Sequence, residues 1–321
     1  MKRILEACAS DFRRMSPTEL LQAIQLSEGR TLIAETVCVA PPLVDGLSNA
    51  ELVAAFGADL VLLNAYDVRN PSIAGLAPAA TPACFASESG LLGGLVGLLE
   101  SVCGRGRTAG EVKRLIGRPV GINLEPSDSP SVTPGRRATA ANADAAASQG
   151  ADFVVITGNP NTGVTNQAIA EAVGAIKDSV GDRLFLVAGK MHGAGVASER
   201  GLPLVDENAL QDFVAAGADV ILVPAPGTVP GVTVEVVRAM VTWVHELGAL
   251  AMTAIGTSQE GADEETVRRI AINSKAAGAD IHHIGDAGFC GVAVPENIMA
   301  YSLAIRGRRH TYRRMGFSPL R

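Results

Sequence analysis

The sequence predicts a single closed parallel α/β barrel, a (β/α)8 fold, with an N-terminal helical extension and an enlarged connection between the second and third strands. Three observations predict it. A Gly-Ala-Asp triplet followed by an apolar run occurs at Gly57-Ala58-Asp59, Gly150-Ala151-Asp152, Gly217-Ala218-Asp219 and Gly278-Ala279-Asp280. Glycine there suits the left-handed turn that ends a helix, and the unbroken apolar run after it suits a strand buried on both faces. Further strand starts at Thr31, Arg118, Asp182 and Gly248 complete a set of eight, most of them about 30 residues apart, the length of one βα unit.

The elements follow in order. Residues 1–30 form the extension, in which SPTELLQAIQ has Ser16 as N-cap and Glu19 as its capping-box partner, a helix placed to cover the bottom of the barrel. The barrel proper spans 31–305. The turn after the first strand, Ala40-Pro41-Pro42, lacks the Gly-rich fingerprint that an open doubly wound sheet would carry. From Asn64 to Gly117 the connection is about twice the usual unit. It holds a Pro- and Ala-rich loop and the apolar stretch SGLLGGLVGLLESV, which reads as a lid or oligomer surface, or as a packed extra helix. Helical patterns over Asn142–Gln149, Asn166–Val180, Asp206–Ala216, Val232–Leu247 and Asp263–Ala277 fill the remaining gaps. Residues 306–321, with Arg306, Arg308, Arg309, Arg313 and Arg314, form a basic C-terminal tail, solvated or packed on a neighbouring subunit.

Composition excludes several classes. A net charge of −6 argues against nucleic-acid binding. The cysteines, Cys8, Cys38, Cys84, Cys103 and Cys290, have no CxxC spacing and read as reduced thiols of a cytoplasmic protein. The amino terminus lacks a signal-peptide core, and the run Leu91–Leu99 is too short and glycine-rich to span a bilayer, so no membrane partner is expected. There is no GxSxG elbow, no P-loop and no DxDx[TV] strand end. A homo-oligomer is expected.

In barrels of this kind the strand carboxyl ends and the loops after them build the site. The loop Thr157–Asn166 leads into a helix whose free N–H groups attract an anion. The seventh strand is followed by Gly256-Thr257-Ser258 and the eighth by Gly285-Asp286-Ala287-Gly288. Over strands four to eight these loops give the chain a resemblance to the ribulose-phosphate-binding and aldolase-type TIM barrels. The resemblance implies that Gly256, Thr257, Ser258, Gly285, Asp286, Ala287 and Gly288 contact a phosphate. Asp286 departs from that pattern, because a carboxylate repels a phosphate unless a cation intervenes. Arg137, beside Arg136, offers a guanidinium fork for the same anion, with surface solvation as its other reading. Asn64, Asp67, Asn123 and Asn159 add polar groups for substrate binding.

The candidates for chemistry are Lys190, Glu35, Glu125 and His192. Lys190 follows FLVAG at the barrel mouth. Three roles are open to it: Schiff-base nucleophile, electrostatic ligand for a phosphate, or ion-pair partner of Glu35 or Glu125. Glu35 and Glu125 are general acids or bases, or buried partners of Lys190. His192 is a second proton-transfer group or a surface residue. No HExxH-like spacing marks a metal centre, and Glu125 and Asp286 are the weak candidates for a bridging Mg²⁺. His282 and His283, adjacent in a strand, face opposite sides. The expectation is an enzyme acting on a small anionic, phosphorylated sugar or related carbonyl metabolite by lyase, aldolase-like or isomerase chemistry. The alternative is a non-catalytic phosphometabolite sensor or scaffold.

Overall fold

Eight parallel strands pair in chain order and close on themselves: β1 (Thr31–Val37), β2 (Leu60–Asn64), β3 (Val120–Leu124), β4 (Phe153–Ile156), β5 (Phe185–Gly189), β6 (Val220–Pro224), β7 (Leu250–Ile255) and β8 (Ile281–Ile284). Closure is set by β8 against β1, with Thr31 opposite Ile281 and Ala34 opposite Ile284. The structure, a computed structural model, describes residues 1–79, 102–193, 195–199, 201, 204, 206–288 and 291–321. Cys84, Cys290 and the apolar run Leu91–Leu99 lie outside the described residues. In chain order the helices are α1 (Ala9–Phe12), α2 (Pro17–Gln25), α3 (Asn49–Ala55), α4 (Ala109–Ile116), α5 (Ala140–Ser148), α6 (Asn166–Val180), α7 (Glu207–Ala215), α8 (Val234–Glu246), α9 (Glu264–Ala276) and α10 (Pro295–Met315).

The Gly-Ala-Asp triplet works as a clip between neighbouring strands. Its glycines take positive φ, from 88° at Gly150 to 108° at Gly57, which turns each helix back toward the sheet. Each aspartate then engages one residue of the preceding strand twice. The N–H of Asp59 donates to the Leu32 carbonyl while its carboxylate accepts the Leu32 N–H at 2.9 Å. Asp152 does the same with Val120, Asp219 with Leu186 and Asp280 with Ala251. Each carboxylate also faces a basic side chain: Lys113 at 2.5 Å from Asp152, Lys177 at 3.5 Å from Asp219, His245 at 2.7 Å from Asp280, and two arginines at Asp59. These clips sit at the amino ends of the strands, the face of a barrel that serves stability.

Strand periodicity divides the core in two. Ile33, Leu62, Phe153, Val155, Phe185, Val187, Leu222 and Met252 fill the barrel interior, and Ile4, Phe12, Leu20 and Ile24 of the N-terminal segment pack onto them as a plug from below. Ser16 and Glu19 form the capping box that starts α2. Gly121 makes room inside, since a Cβ there would lie 2.3 Å from the Phe153 ring, and that ring stacks on Phe185 with centroids 4.8 Å apart. Residues outside this layer, among them Leu32, Ala34, Val61, Val154 and Ile221, pack against the helices.

The basic C-terminal segment is not a solvated tail. Residue 306 falls inside α10, which bends at Gly307 (φ 72°) and continues to Met315. Arg306 and Arg314 are buried and both bind the Asp59 carboxylate, Arg314 Nε at 2.7 Å. Arg314 also donates to the carbonyls of Ile4 and Ala7. The carboxylate of the first triplet thus ties the amino and carboxyl ends of the chain to the bottom of the barrel. Arg308, Arg309 and Arg313 remain exposed.

Candidate functional site

At the carboxyl ends of the strands, the last inward-facing residues change from apolar to polar. Glu35 occupies that place in β1, Asn64 in β2 and Asn123 in β3. Thr157 follows β4, Gly256 follows β7 and Gly285 follows β8. All six line one cavity of about 250 Å³, together with Glu125, Arg136, Asn159, Met191, His192, Glu260 and Asp286. The cavity opens on the face where the βα loops meet, the usual working face of this fold.

Its back wall is a buried polar relay. Asn123 donates through Nδ2 to Glu35 Oε1 at 2.7 Å. His283 Nε2 stands 2.9 Å from Glu35 Oε2, but the approach is off the hydrogen-bond line and neither ring nitrogen has a hydrogen-bond partner. Its neighbour His282 points outward. There Gly29 O and the Tyr301 hydroxyl lie at 3.0 and 3.2 Å from its two ring nitrogens, and burial pushes its pKa down to about 4. With Nε2–H donating to the carbonyl, Nδ1 of the neutral ring is left to accept from the tyrosine.

Two cavity groups are shifted in opposite directions by burial. Glu260, only 3% exposed, has its carboxyl pKa raised by desolvation; Oε1 accepts the Ala287 N–H at 3.2 Å and Oε2 has no partner. Desolvation lowers the pKa of His192, although the charges of Glu35 and Asp286 favour its protonated form. At neutral pH His192 is therefore a proton acceptor, while Glu260 retains its proton to higher pH than an ordinary carboxyl. Ser258 in the left-handed region (φ 74°) and the single turn Gln259–Gly261 point Glu260 back into the barrel. Asn297 fixes that turn by donating to the carbonyls of Glu260 and Ala262. Local sequence pattern does not single out Glu260, two residues past Ser258, because the Asn297 contact that fixes its turn comes from 37 positions away.

The other sequence-selected residues divide clearly. Glu35, Glu125, His192, Asn64, Asn123, Asn159, Gly256, Gly285 and Asp286 meet at the cavity. Lys190 does not line it. Lys190 is 4% exposed, and strand alternation places it with Leu186 and Ala188 toward the helices, while Met191 takes the inward place. Arg136 rather than Arg137 reaches the cavity, where it pairs with Glu125; Arg137 turns to Asp128 at 3.1 Å. Asp67 shapes a turn, accepting from Arg69 N, Asn70 N and the Thr133 hydroxyl.

In loop eight the N–H groups of Ala287 and Gly288 are taken by the chain's own carboxylates, Glu260 and Asp286. They are not open to a phosphate. Thr257 and Ser258 line an adjoining recess of about 600 Å³, which shares Asn159, His192 and Gly256 with the cavity. Of the two weak metal candidates, Glu125 is paired with Arg136. Among the described residues no three His, Cys, Asp or Glu side chains gather as a ligand set.

The family model described as a domain of unknown function, DUF7916, matches residues 5–321. The chain belongs to the DUF7916 family. No curated protein matches it. Among solved structures, this DUF7916 chain is similar to a candidate lyase/mutase from Burkholderia cenocepacia J2315 (18% identity, TM-score 0.48, covering 89% of this chain and 84% of that one). It is also similar to a thiamine phosphate pyrophosphorylase from Pyrococcus furiosus (12% identity, TM-score 0.45, covering 91% of this chain and 100% of that one). No helix among the described residues of the DUF7916 chain is long and apolar enough to cross a membrane.

Proposed function

We propose that this protein is an enzyme that moves protons on a small polar metabolite, in reactions of the isomerase or lyase type next to a carbonyl. The observation that carries the reading is the placing, on one cavity, of the buried Glu260 carboxyl, whose hold on its proton burial strengthens, and the His192 imidazole, whose hold burial weakens. Shifts in these directions favour the carboxyl as proton donor and the imidazole as proton acceptor. Glu260 delivers a proton to the carbonyl oxygen, and His192 or Glu35 removes one from the neighbouring carbon. Asn123 holds Glu35 in place through its Nδ2, with the His283 ring behind it. Lys190 has no part in this scheme, which needs no covalent intermediate. Where the substrate carries a phosphate, the neutral recess beside Thr257 and Ser258 accommodates it, away from the carboxylates.

The test is exchange in D₂O. Small hydroxy-carbonyl metabolites are incubated with the protein, and loss of the carbon-bound proton signal is followed by NMR. Wild type should catalyse exchange, and Glu260→Gln and His192→Gln should each slow it by about 10²-fold or more. Binding without exchange across the panel would leave the cavity as a sensor site and overturn the reading.

A further inference from the structure

The negative charges on the wall of the cavity are unequally answered. Glu125 has Arg136. Asp286 receives only neutral donors, Asn64 Nδ2 at 2.9 Å and the Gly288 N–H at 2.8 Å; among the described residues no lysine or arginine lies within ion-pair reach of it. Asn123 spends its N–H₂ group on Glu35. A carboxylate only accepts, so the amide orientation is fixed and Oδ1 is the atom left over. That oxygen is buried, has no partner, and belongs to a side chain 8% exposed on the cavity wall.

We infer that the cavity selects a ligand bearing a protonated primary amine, with Asp286 supplying the counter-charge and Asn123 Oδ1 a neutral acceptor. An ammonium brings three donors and no acceptor, the complement of these groups. A hydroxyl brings one donor with lone pairs that find little to pair with, and an anion meets uncompensated Asp286. The inference rests on the cavity being the substrate site and narrows the substrate to an amino-bearing carbonyl or hydroxy compound. It places the amine next to the reacting carbon rather than in the neutral recess.

Calorimetric titration in an amine-free buffer near neutral pH tests it with two matched pairs, glucosamine against glucose and ethanolamine against ethylene glycol, and with glucose 6-phosphate as the anionic probe. Each amine should bind wild type at least about tenfold more tightly than its hydroxy partner. Asp286→Asn, checked for its fold by circular dichroism, should remove that difference. Equal binding within both pairs, no binding of either amine, or tighter binding of glucose 6-phosphate overturns the inference. The wild-type comparison does not depend on a variant folding. Proton exchange on hydroxy-carbonyl compounds without amine preference removes this inference alone, and amine preference without exchange removes the acid–base reading alone.

Discussion

Glu35 Oε2 and His283 Nε2 lie 2.9 Å apart on adjacent barrel strands, both sealed from solvent, without forming a hydrogen bond. A small rotation of the imidazole would complete the contact. The pair links the closing seam of the barrel to the cavity, because Glu35 lines the cavity and His283 stands behind it. Substituting His283→Phe keeps an apolar ring of similar outline and removes the partner. Exchange activity should then fall by about tenfold to 10²-fold through misplacement of Glu35. A rate equal to wild type would remove His283 from the scheme.

Glu260 makes stability depend on pH in a defined direction. Its folded pKa is raised by burial above the ordinary 4.5, so the folded state holds its proton more tightly than the unfolded state does. The stability this provides is fully present below the unfolded value and is lost as pH rises through the folded one. Glu260→Gln should therefore raise Tm at pH above that window and leave it nearly unchanged below, measured by thermal melts in parallel buffers. For His192 the sign is reversed. Its pKa is lowered by burial, so its contribution is present above the ordinary histidine value and lost as pH falls through the depressed one.

The Asp59 cluster is the most expensive polar contact to break. Removing the carboxylate in Asp59→Ala leaves Arg306 and Arg314 buried without their counter-charge, which costs about 3–5 kcal/mol. The equivalent change at Asp280 should cost only about 1–2 kcal/mol, because its cationic partner His245 is exposed and the main loss is one hydrogen bond, to the Ala251 N–H. Urea denaturation of the two variants compares them directly. Equal losses would show that the strand clip, and not the arginine pair, dominates at Asp59.

Borohydride treatment in the presence of hydroxy-carbonyl metabolites should leave the mass of the protein unchanged. Lys190 is buried and lines neither the cavity nor the recess. An adduct mapped to Lys190 by peptide mass would reinstate the Schiff-base route.

Gly121→Val should destabilise by about 1–3 kcal/mol, read from the urea midpoint, by driving a side chain into the Phe153 ring inside the barrel. A midpoint equal to wild type would show that the Phe153–Phe185 stack can move aside.

Much of the fold was legible because it depends on local rules. The triplets fix where helices end and strands begin, period-two alternation fixes which strand residues face inward, and eight such units close a barrel. The same alternation was enough to place Glu35, Asn64 and Asn123 at the mouth and to send His282 and His283 opposite ways. Loop and terminal residues escaped it. Arg136 and Arg137 are neighbours of one chemistry, and the turn at Pro134–Arg136 sends one to the cavity and the other to Asp128. Loop eight reads as an open anion cradle until Glu260, 27 residues earlier, is found on the Ala287 N–H.

The sequence by itself determined the number of strands, their order, the apolar interior and the polar ring at the strand ends, since each follows from periodicity and glycine conformation over a few residues. Only the tertiary structure decided that Arg306 and Arg314 are buried on Asp59, that Lys190 is buried outside the cavity lining, and that the N–H groups of Ala287 and Gly288 are taken by Glu260 and Asp286. Those outcomes turn on which charges meet across long separations, 247 residues between Asp59 and Arg306, and on how burial then sets their protonation, which no local pattern encodes.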